Sequence, residues 1–331
     1  MRAILALKQK GEKTMADTQL QTQIEQLLNG LGTVIAGQHT VIEEVLVAMV
    51  VQGHVLLEGP PGVGKTTIVN TLAALTACDF RRIQFTPDLM PSDIIGNHVF
   101  NFQTNEFTLK RGPIFTHFLL ADEINRTPPK TQAALLEAME ERQVTIDGLA
   151  FKLEPPFLVF ATQNPIEHEG TYPLPEAQVD RFLLKVLVPY PERDAEKAIL
   201  AMEQSGQPAA VMLRQVKPVL DKAQFLQLKQ QADAVTVEDS MLNYILDIVY
   251  ATRRNHHLTA GGSPRASLSL LLCSKAFAAL QGRSFVTPDD IKRVSFPVLR
   301  HRMLLKPEAE IEGMAADNVI RMILDGIEVP R

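Results

Sequence analysis

The chain has 331 residues, of which 46% are hydrophobic and 21% are charged, and its formal net charge is −5. This length and composition suit a globular protein with two sizeable cores and exclude a disordered chain. The acidic balance argues against general electrostatic binding to nucleic acid or to an anionic membrane surface, so we expect neither as a partner. Cys78 and Cys273 lack CxxC spacing and lie in apolar helical contexts, which predicts buried, reduced thiols and a cytoplasmic protein.

The N-terminal segment, residues 1–36, is expected to be a tail followed by a lead-in helix. The opening MRAILALKQKGEKT carries early positive charge, but its apolar part is too short for a secretory signal and it lacks a small-residue cleavage pattern. Met15 stays open as an alternative start. The longest apolar runs further on, 45–51 and 268–273, fall far short of the roughly 20 residues of a membrane span.

An apolar strand at 55–58 runs directly into GPPGVGKTT, which has the spacing of a phosphate-binding loop. In such a loop, backbone N–H groups close around a polyphosphate at a helix N-terminus, Lys65 reaches the β and γ oxygens, and Thr66 ligates Mg²⁺. A Gly/Pro-rich turn that matches by chance is the alternative, and the strand before it and the helix-compatible segment after it argue against that. The sequence therefore predicts an ATP and Mg²⁺ site formed by Gly59, Pro60, Pro61, Gly62, Val63, Gly64, Lys65, Thr66 and Thr67.

A second apolar strand, at 118–121, ends in the carboxylates Asp122 and Glu123. Ligands of doubly wound sheets bind at the carboxyl ends of the strands. We therefore predict that Asp122 holds Mg²⁺ and that Glu123 polarises the attacking water. A solvated helix N-terminus is the alternative for an isolated Asp-Glu pair, but the accompanying phosphate-binding loop favours catalysis.

The first part of the chain alternates strands and helices, which predicts an α/β domain at 37–190 with a mainly parallel sheet. Further strands are expected at 82–86, 158–162 and 183–188, with helices at 40–51, 66–77 and 129–141. After Pro189-Tyr190-Pro191 the strand signal disappears, so we place a domain boundary near Tyr190. The remaining segment, 191–331, is predicted to be all-helical, with helices at 223–234, 238–254, 264–281 and 288–301.

Two hairpins interrupt the α/β order, near 98–110 and 143–153. The first alternates apolar and polar residues around Gln103-Thr104-Asn105, and the second has Asp147-Gly148 as a type I′ turn. The hairpins either cover the sheet or project toward a pore or partner surface, and the pattern leaves both open.

Five motifs together resemble the MoxR family of AAA+ ATPases, from about Gly37 to the C-terminus: GPPGVGKT, LLADEINR, ATQNP, LPEAQVDRF and SPRA. The resemblance implies an AAA+ P-loop domain with a mainly parallel five-stranded sheet and a C-terminal helical lid. It also implies ATP hydrolysis with Mg²⁺ in a homo-oligomer, a hexameric ring. Its expected work is chaperone-like remodelling, maturation or activation of a protein client, with a von Willebrand factor A domain protein as a partner.

The same resemblance assigns the remaining site residues. Asn164 looks like the sensor that positions the hydrolytic water, with a turn-forming Asn before Pro165 as the alternative. Arg181 looks like an arginine finger for the neighbouring subunit; its alternative is an ion pair with Asp180 or Glu176. Arg265 looks like a second sensor that reaches the γ-phosphate of its own subunit.

The adenine is expected to lie against the segment before the first core helix. Ile35, Gly37 and Gln38 are the candidates there, and Tyr190 is a weaker one. Three other functions stay open: a DNA-directed helicase-like motor, a chelatase-type motor, and a nucleotide-gated regulatory binding module. The acidic balance argues against the first, and the presence of Glu123 and Arg181 argues against the last.

Overall fold

The computed structural model of the protein describes residues 15–164 and 170–330. The predicted N-terminal tail, residues 1–14, and Pro165 of the ATQNP motif lie outside the described residues. Within the described part of the chain, no helix combines the length and the apolar character needed to cross a bilayer. Cys78 and Cys273 are both buried and unpaired, as predicted, and burial raises the pKa of Cys273 to about 12.

The strands in chain order are β1 (Val55–Glu58), β2 (Phe80–Gln84), β3 (Gly96–Asn101), β4 (Glu106–Arg111), β5 (Phe118–Asp122), β6 (Gln143–Ile146), β7 (Leu149–Lys152), β8 (Leu158–Gln163), β9 (Leu184–Leu187), β10 (Leu258–Ala260) and β11 (Leu304–Leu305). The helices of the first part are α1 (Met15–Val34), α2 (His39–Val51), α3 (Lys65–Leu75), α4 (Pro91–Ile95), α5 (Pro129–Glu141) and α6 (Glu176–Val179). Those of the second part are α7 (Arg193–Gln204), α8 (Ala209–Gln215), α9 (Lys222–Asp233), α10 (Asp239–Arg254), α11 (Pro264–Leu280), α12 (Pro288–Leu299), α13 (Pro307–Ile311) and α14 (Ala316–Gly326).

The central sheet has five strands in the order β2-β5-β8-β1-β9, and each neighbouring pair is parallel. The predicted parallel α/β sheet is therefore confirmed. Successive residues of a strand point to opposite faces, and β5 divides its side chains accordingly. Phe118 and Leu120 join the apolar core on one face, while Leu119 and Ala121 join the core on the other. Both faces are thus buried, and the ligand crevice is left to the strand ends.

Both predicted hairpins are present, as β3–β4 and β6–β7. The turn of the second has φ of 50° at Asp147 and 80° at Gly148, the two positive angles that a type I′ turn requires. His98 on β3 lies 2.6 Å from Asp147 through Nδ1 and Oδ2. The two hairpins are therefore tied to each other beside the sheet.

The segment after Tyr190 is helical as predicted, with one correction. β10 and β11 form a short antiparallel sheet, so the region is not all-helical. Two strands of three and two residues, from connections more than 40 residues apart, carry too little periodicity to be recognised in the sequence. The predicted boundary at Tyr190 falls in the connection between β9 and α7.

Arg302 attaches this helical lid to the core. Its Nε lies 2.7 Å from Oδ1 of Asp180, and its guanidinium also donates to the backbone carbonyls of Phe182 and Leu183. The side chain is 1% exposed, so charge pairing and carbonyl contacts compensate for its burial. The lid therefore holds the segment that leads into β9.

Candidate active site

The loop between β1 and α3 has the shape of an anion site. Gly62 and Gly64 have φ of 80° and 87°, and Gly64 caps α3 without a side chain. The first N–H groups of the helix are thus left for a ligand. A Cβ at either glycine would meet no heavy atom within 4 Å, which shows that the loop borders open space. These residues fit a polyphosphate.

The geometry of such a loop also depends on its first glycine and on its lysine. A Cβ at Gly59 would collide with the carbonyl oxygen of Val188, so the loop can pass this close to β9 only with glycine at that position. Nζ of Lys65 donates to the carbonyl oxygen of Gly59 at 2.7 Å. The ammonium therefore lies over the loop, where a phosphate oxygen would replace the carbonyl as its acceptor.

The two carboxylates after β5 lie at the same edge of the sheet. Thr162 of β8 donates to Oδ1 of Asp122 at 2.6 Å and accepts from the backbone N–H of Glu123 at 2.9 Å. Glu123 adopts φ 57° and ψ 50°, a left-handed conformation that is uncommon outside glycine. Thr162 thus fixes both carboxylates, and the turn at Glu123 aims its side chain away from the strand.

Two residues of β2 that we did not predict contact these carboxylates. Nε of Arg82 lies 3.0 Å from Oδ2 of Asp122, and Nε2 of Gln84 donates to Oε2 of Glu123 at 2.7 Å. Arg126 also pairs with Glu123, at 2.9 Å. The signal available in the sequence was the polar pair at alternate positions of the strand FRRIQ, which places both side chains on one face.

Asn164 follows β8 at the same edge and is 8% exposed. It lines a cavity of about 310 Å³ together with Glu58, Asn125, Lys185 and His301. Lys185 pairs with Glu58 at 2.8 Å. The structure therefore brings Asn164 to the strand ends that carry the phosphate-binding loop and the carboxylates.

The three candidate adenine residues lie between α1 and α2. Nε2 of Gln38 donates to the carbonyl oxygen of Pro189 at 2.9 Å, and a Cβ on Gly37 would lie 2.8 Å from that of Ala195. Ile35 and Gly37 also line a groove of about 720 Å³ between α1, α2 and the end of α11. Tyr190, the weaker candidate, is 69% exposed.

The two arginines lie at the opposite edge of the sheet, where the strands begin. Arg181 precedes β9, and the N–H of Leu183 bonds to the carbonyl oxygen of His54, the residue before β1. Nη2 of Arg181 lies 3.0 Å from Oε2 of Glu140, and Nη2 of Arg265 lies 3.2 Å from Oε1 of the same carboxylate. Arg181 thus has an intrachain partner, but it is Glu140 instead of Asp180 or Glu176.

Arg265 lies at the strand entrances, away from the phosphate-binding loop of its own chain. Its guanidinium contacts Glu140 and lies 3.8 Å from Asp180. Both acidic residues are at the strand entrances, whereas the phosphate-binding loop follows the exit of β1. The first turn of α11 lies at the entrance edge, so Arg265 is held on the side of Arg181.

His54 explains why the end of α5 lies at this edge. Its Nδ1 accepts from the N–H of Val159 at 3.0 Å, so Nε2 carries the proton and donates to the carbonyl oxygen of Met139 at 3.1 Å. Complete burial lowers the pKa of His54 to about 3, and the positive charge of Arg142 adds to the effect. The imidazole therefore stays neutral and fixes Met139, the residue before Glu140, to the start of β1.

Comparisons with known proteins identify the families that match the two parts of this chain. The model of the ATPase family associated with various cellular activities (AAA) matches residues 54–184, and that of the AAA lid domain matches residues 250–323. A crystal structure of a protein from Cytophaga hutchinsonii superposes with a TM-score of 0.88 and 40% sequence identity, covering 99% of this chain and 100% of that one.

Curated relatives match over nearly the whole chain. Chaperone MoxR1 of Mycobacterium tuberculosis is 42% identical, covering 93% of this chain and 82% of the relative. The uncharacterized protein YeaC of Bacillus subtilis is 46% identical over 91% of this chain and 92% of its own length. Protein MoxR of Paracoccus denitrificans is 31% identical, covering 86% of this chain and 89% of the relative.

Proposed function

This chain belongs to the MoxR family of AAA+ ATPases, and from that premise we propose that it binds ATP with Mg²⁺ at residues 59–67 and hydrolyses it by in-line attack of water. The observation that carries the proposal is the open, uncapped loop at α3 beside the paired carboxylates Asp122 and Glu123. Phosphate binding needs the first, and water activation needs the second.

The residues divide the chemistry among themselves. Lys65 transfers its hydrogen bond from Gly59 to the β and γ oxygens, and Glu123 accepts a proton from the attacking water while Asn164 orients that water. Mg²⁺, which Thr66 and Asp122 would hold, would neutralise the charge that develops on the phosphates. Asp122 would then exchange its contact with Arg82 for the metal.

The remaining two catalytic arginines serve the neighbouring subunit. Arg181 and Arg265 lie together at the strand entrances, and ATP lies at the strand exits, so one chain presents a nucleotide and an arginine pair on different surfaces. A head-to-tail ring brings these surfaces together. We assign a hexamer, in which both arginines contact the γ-phosphate bound by the next chain.

The work done by hydrolysis is remodelling or activation of a protein client. One relative is named a chaperone, and the β3–β4 hairpin exposes Phe102 and Phe107 at 88% and 70%. Apolar side chains this exposed are typical of binding surfaces. The hairpin is the site that we assign to a protein client, for which a von Willebrand factor A domain protein is the candidate.

Phosphate release from purified protein tests the proposal. The wild type should hydrolyse ATP with Mg²⁺, and Lys65→Ala should not. A nucleotide-gated binding module is the second candidate, favoured by the contacts that Gln84 and Arg126 make with Glu123. A folded wild type that binds ATP, assembles and gives no turnover would support that module and contradict the ATPase.

A further inference from the structure

Glu140 is the common partner of two arginines that come from different domains. Arg181 belongs to the segment before β9 of the core, and Arg265 to the first turn of α11 in the lid. Each guanidinium gives one nitrogen to a different oxygen of the Glu140 carboxylate, at 3.0 Å and 3.2 Å. The Glu140 carboxylate therefore bridges the two domains. It does so through the two arginines that we propose contact the ATP bound by the neighbouring subunit.

The charges around the pair make this bridge necessary. Two guanidinium groups on one carboxylate repel each other, and the second acidic group nearby, Asp180, is already engaged at 2.7 Å by the buried Arg302. Asp180 approaches Arg265 only at 3.8 Å. Without the negative charge of Glu140, the repulsion between the guanidinium groups of Arg181 and Arg265 at the domain junction would be almost uncompensated.

The bridge leaves both arginines able to act. A guanidinium has five N–H donors in a planar fork, and the two oxygens of Glu140 cannot engage all ten donors of the two arginines. Arg181 and Arg265 keep side-chain exposures of 31% and 45%. The cluster of two arginines and one glutamate has an excess positive charge, as a site for a neighbour's γ-phosphate requires.

Glu140 is also held firmly in place. It is the penultimate residue of α5, a helix of 13 residues, which at 1.5 Å per residue is about 20 Å long. The other end of α5 follows the turn that carries Glu123, and the Glu140 end is fixed by the hydrogen bond between His54 and Met139. One rigid helix therefore connects the water-activating end of one site to the arginines of the next.

We propose that Glu140 is a positioning residue for ATP hydrolysis, which holds Arg181 and Arg265 as a pair oriented toward the nucleotide of the adjacent subunit. This inference rests on the proposed ATPase function and on the trans role of the arginines. Glu140 acts through the two guanidinium groups.

The test is a mutant cycle on assembled protein. Glu140→Gln keeps the shape and removes the charge, so kcat should fall by about tenfold or more while KM for ATP changes by less than about twofold, because each phosphate-binding loop is intact. In an Arg181→Ala/Arg265→Ala background, whose residual hydrolysis is followed in single-turnover experiments with excess enzyme and radiolabelled ATP, the same change should alter the rate by less than about twofold. Glu141→Gln, the same chemical change one residue away at an exposed position, should behave as the wild type.

Three results would overturn the inference. An unchanged kcat in Glu140→Gln would mean that the charge of Glu140 does not position the arginines. An increased kcat would mean that Glu140 competes with phosphate for them. An equal loss of rate in the background without the arginines would mean that Glu140 acts by another route. If Glu140→Gln fails to assemble, Glu140→Asp keeps the charge but shortens the reach, and should lose kcat in an intact ring. If the wild type itself shows no turnover, the proposed ATPase function is refuted. If Arg181→Ala loses rate and Glu140→Gln does not, only the positioning role of Glu140 is refuted.

Discussion

The side-chain amide of Gln84 donates a 2.7 Å hydrogen bond to the carboxylate of Glu123. β2, which carries Gln84, lies on the side of β5 away from β1 in the order β2-β5-β8-β1-β9. The bond therefore draws Glu123 away from the loop that follows β1. The contact therefore restrains Glu123 in the role that we propose for it.

Gln84→Ala should therefore raise the basal rate of ATP hydrolysis, because Glu123 loses one of its two restraining contacts. Phosphate release at saturating ATP measures the effect, which we expect to be severalfold. The double variant Gln84→Ala/Glu123→Gln should show no turnover, since the gain acts through Glu123. A basal rate in Gln84→Ala at or below that of the wild type would show that Gln84 places Glu123 productively.

Lys65 and Glu123 should separate binding from chemistry. Lys65→Ala removes the ammonium that reaches the phosphates, so ATP affinity should fall below detection. Glu123→Gln keeps a side chain of the same shape without a base, so it should bind ATP and lose turnover. Titration of a fluorescent ATP analogue alongside phosphate release distinguishes the two. Turnover at the wild-type rate in Glu123→Gln would refute the role of this residue.

The sequence was sufficient for features whose parts lie close together in the chain. The loop at Gly59 to Thr66 joins a strand to a helix within one motif, so spacing alone identified it. Arg265 shows where prediction from the sequence ends, because its position depends on how α11 packs. Glu140 and Asp180, the residues that Arg265 contacts, lie far from it in sequence. Gln84 and Glu140 were missed for the same reason, because their partners meet them only in the folded sheet and lid.

The charge state of Glu44 should make stability fall with increasing pH. Burial raises the pKa of Glu44 from 4.5 to about 7, against the opposing attraction of Arg300 and Arg293, and the nearby Asp317 and Glu43 add to the rise. The raised pKa of Glu44 contributes in full to the free energy of unfolding below about pH 4.5. This contribution is lost as the pH rises through about 7. The loss corresponds to roughly 3 kcal/mol.

Glu44→Gln has no such titration, so its Tm should fall less than that of the wild type between pH 5 and pH 8. Differential scanning calorimetry at several pH values measures the difference. Arg300 keeps its pair with Asp317 at 2.7 Å in this variant. Parallel Tm curves for the two proteins would show that Glu44 is ionised without penalty.

Arg302 should contribute strongly to stability, because its removal takes away the buried guanidinium that donates to Asp180 and to the carbonyls of Phe182 and Leu183. Breaking a buried ion pair from one side costs about 3–5 kcal/mol. Arg302→Met, which retains much of the side-chain packing, should lower the urea midpoint accordingly. Arg321→Met, at an exposed position of α14, is the matched control. Equal midpoints would show that the lid is held by other contacts.

Arg181 and Arg265 should both act on the neighbouring subunit, and mixed rings test this directly. Removing a strong trans arginine lowers the rate by roughly 10³ to 10⁵, so Arg181→Ala, Arg265→Ala and Lys65→Ala should each be inactive alone. Mixing Lys65→Ala with either arginine variant pairs an intact loop with intact arginines at about a quarter of the interfaces of a randomly assembled ring. About that share of wild-type activity should return. Mixing Arg181→Ala with Arg265→Ala leaves every arginine pair defective, so no activity should return. Native mass spectrometry should show that the rings are mixed. If Lys65→Ala is then rescued by Arg181→Ala but not by Arg265→Ala, Arg265 acts within its own subunit. That result would contradict a joint role of the two arginines at the neighbouring site.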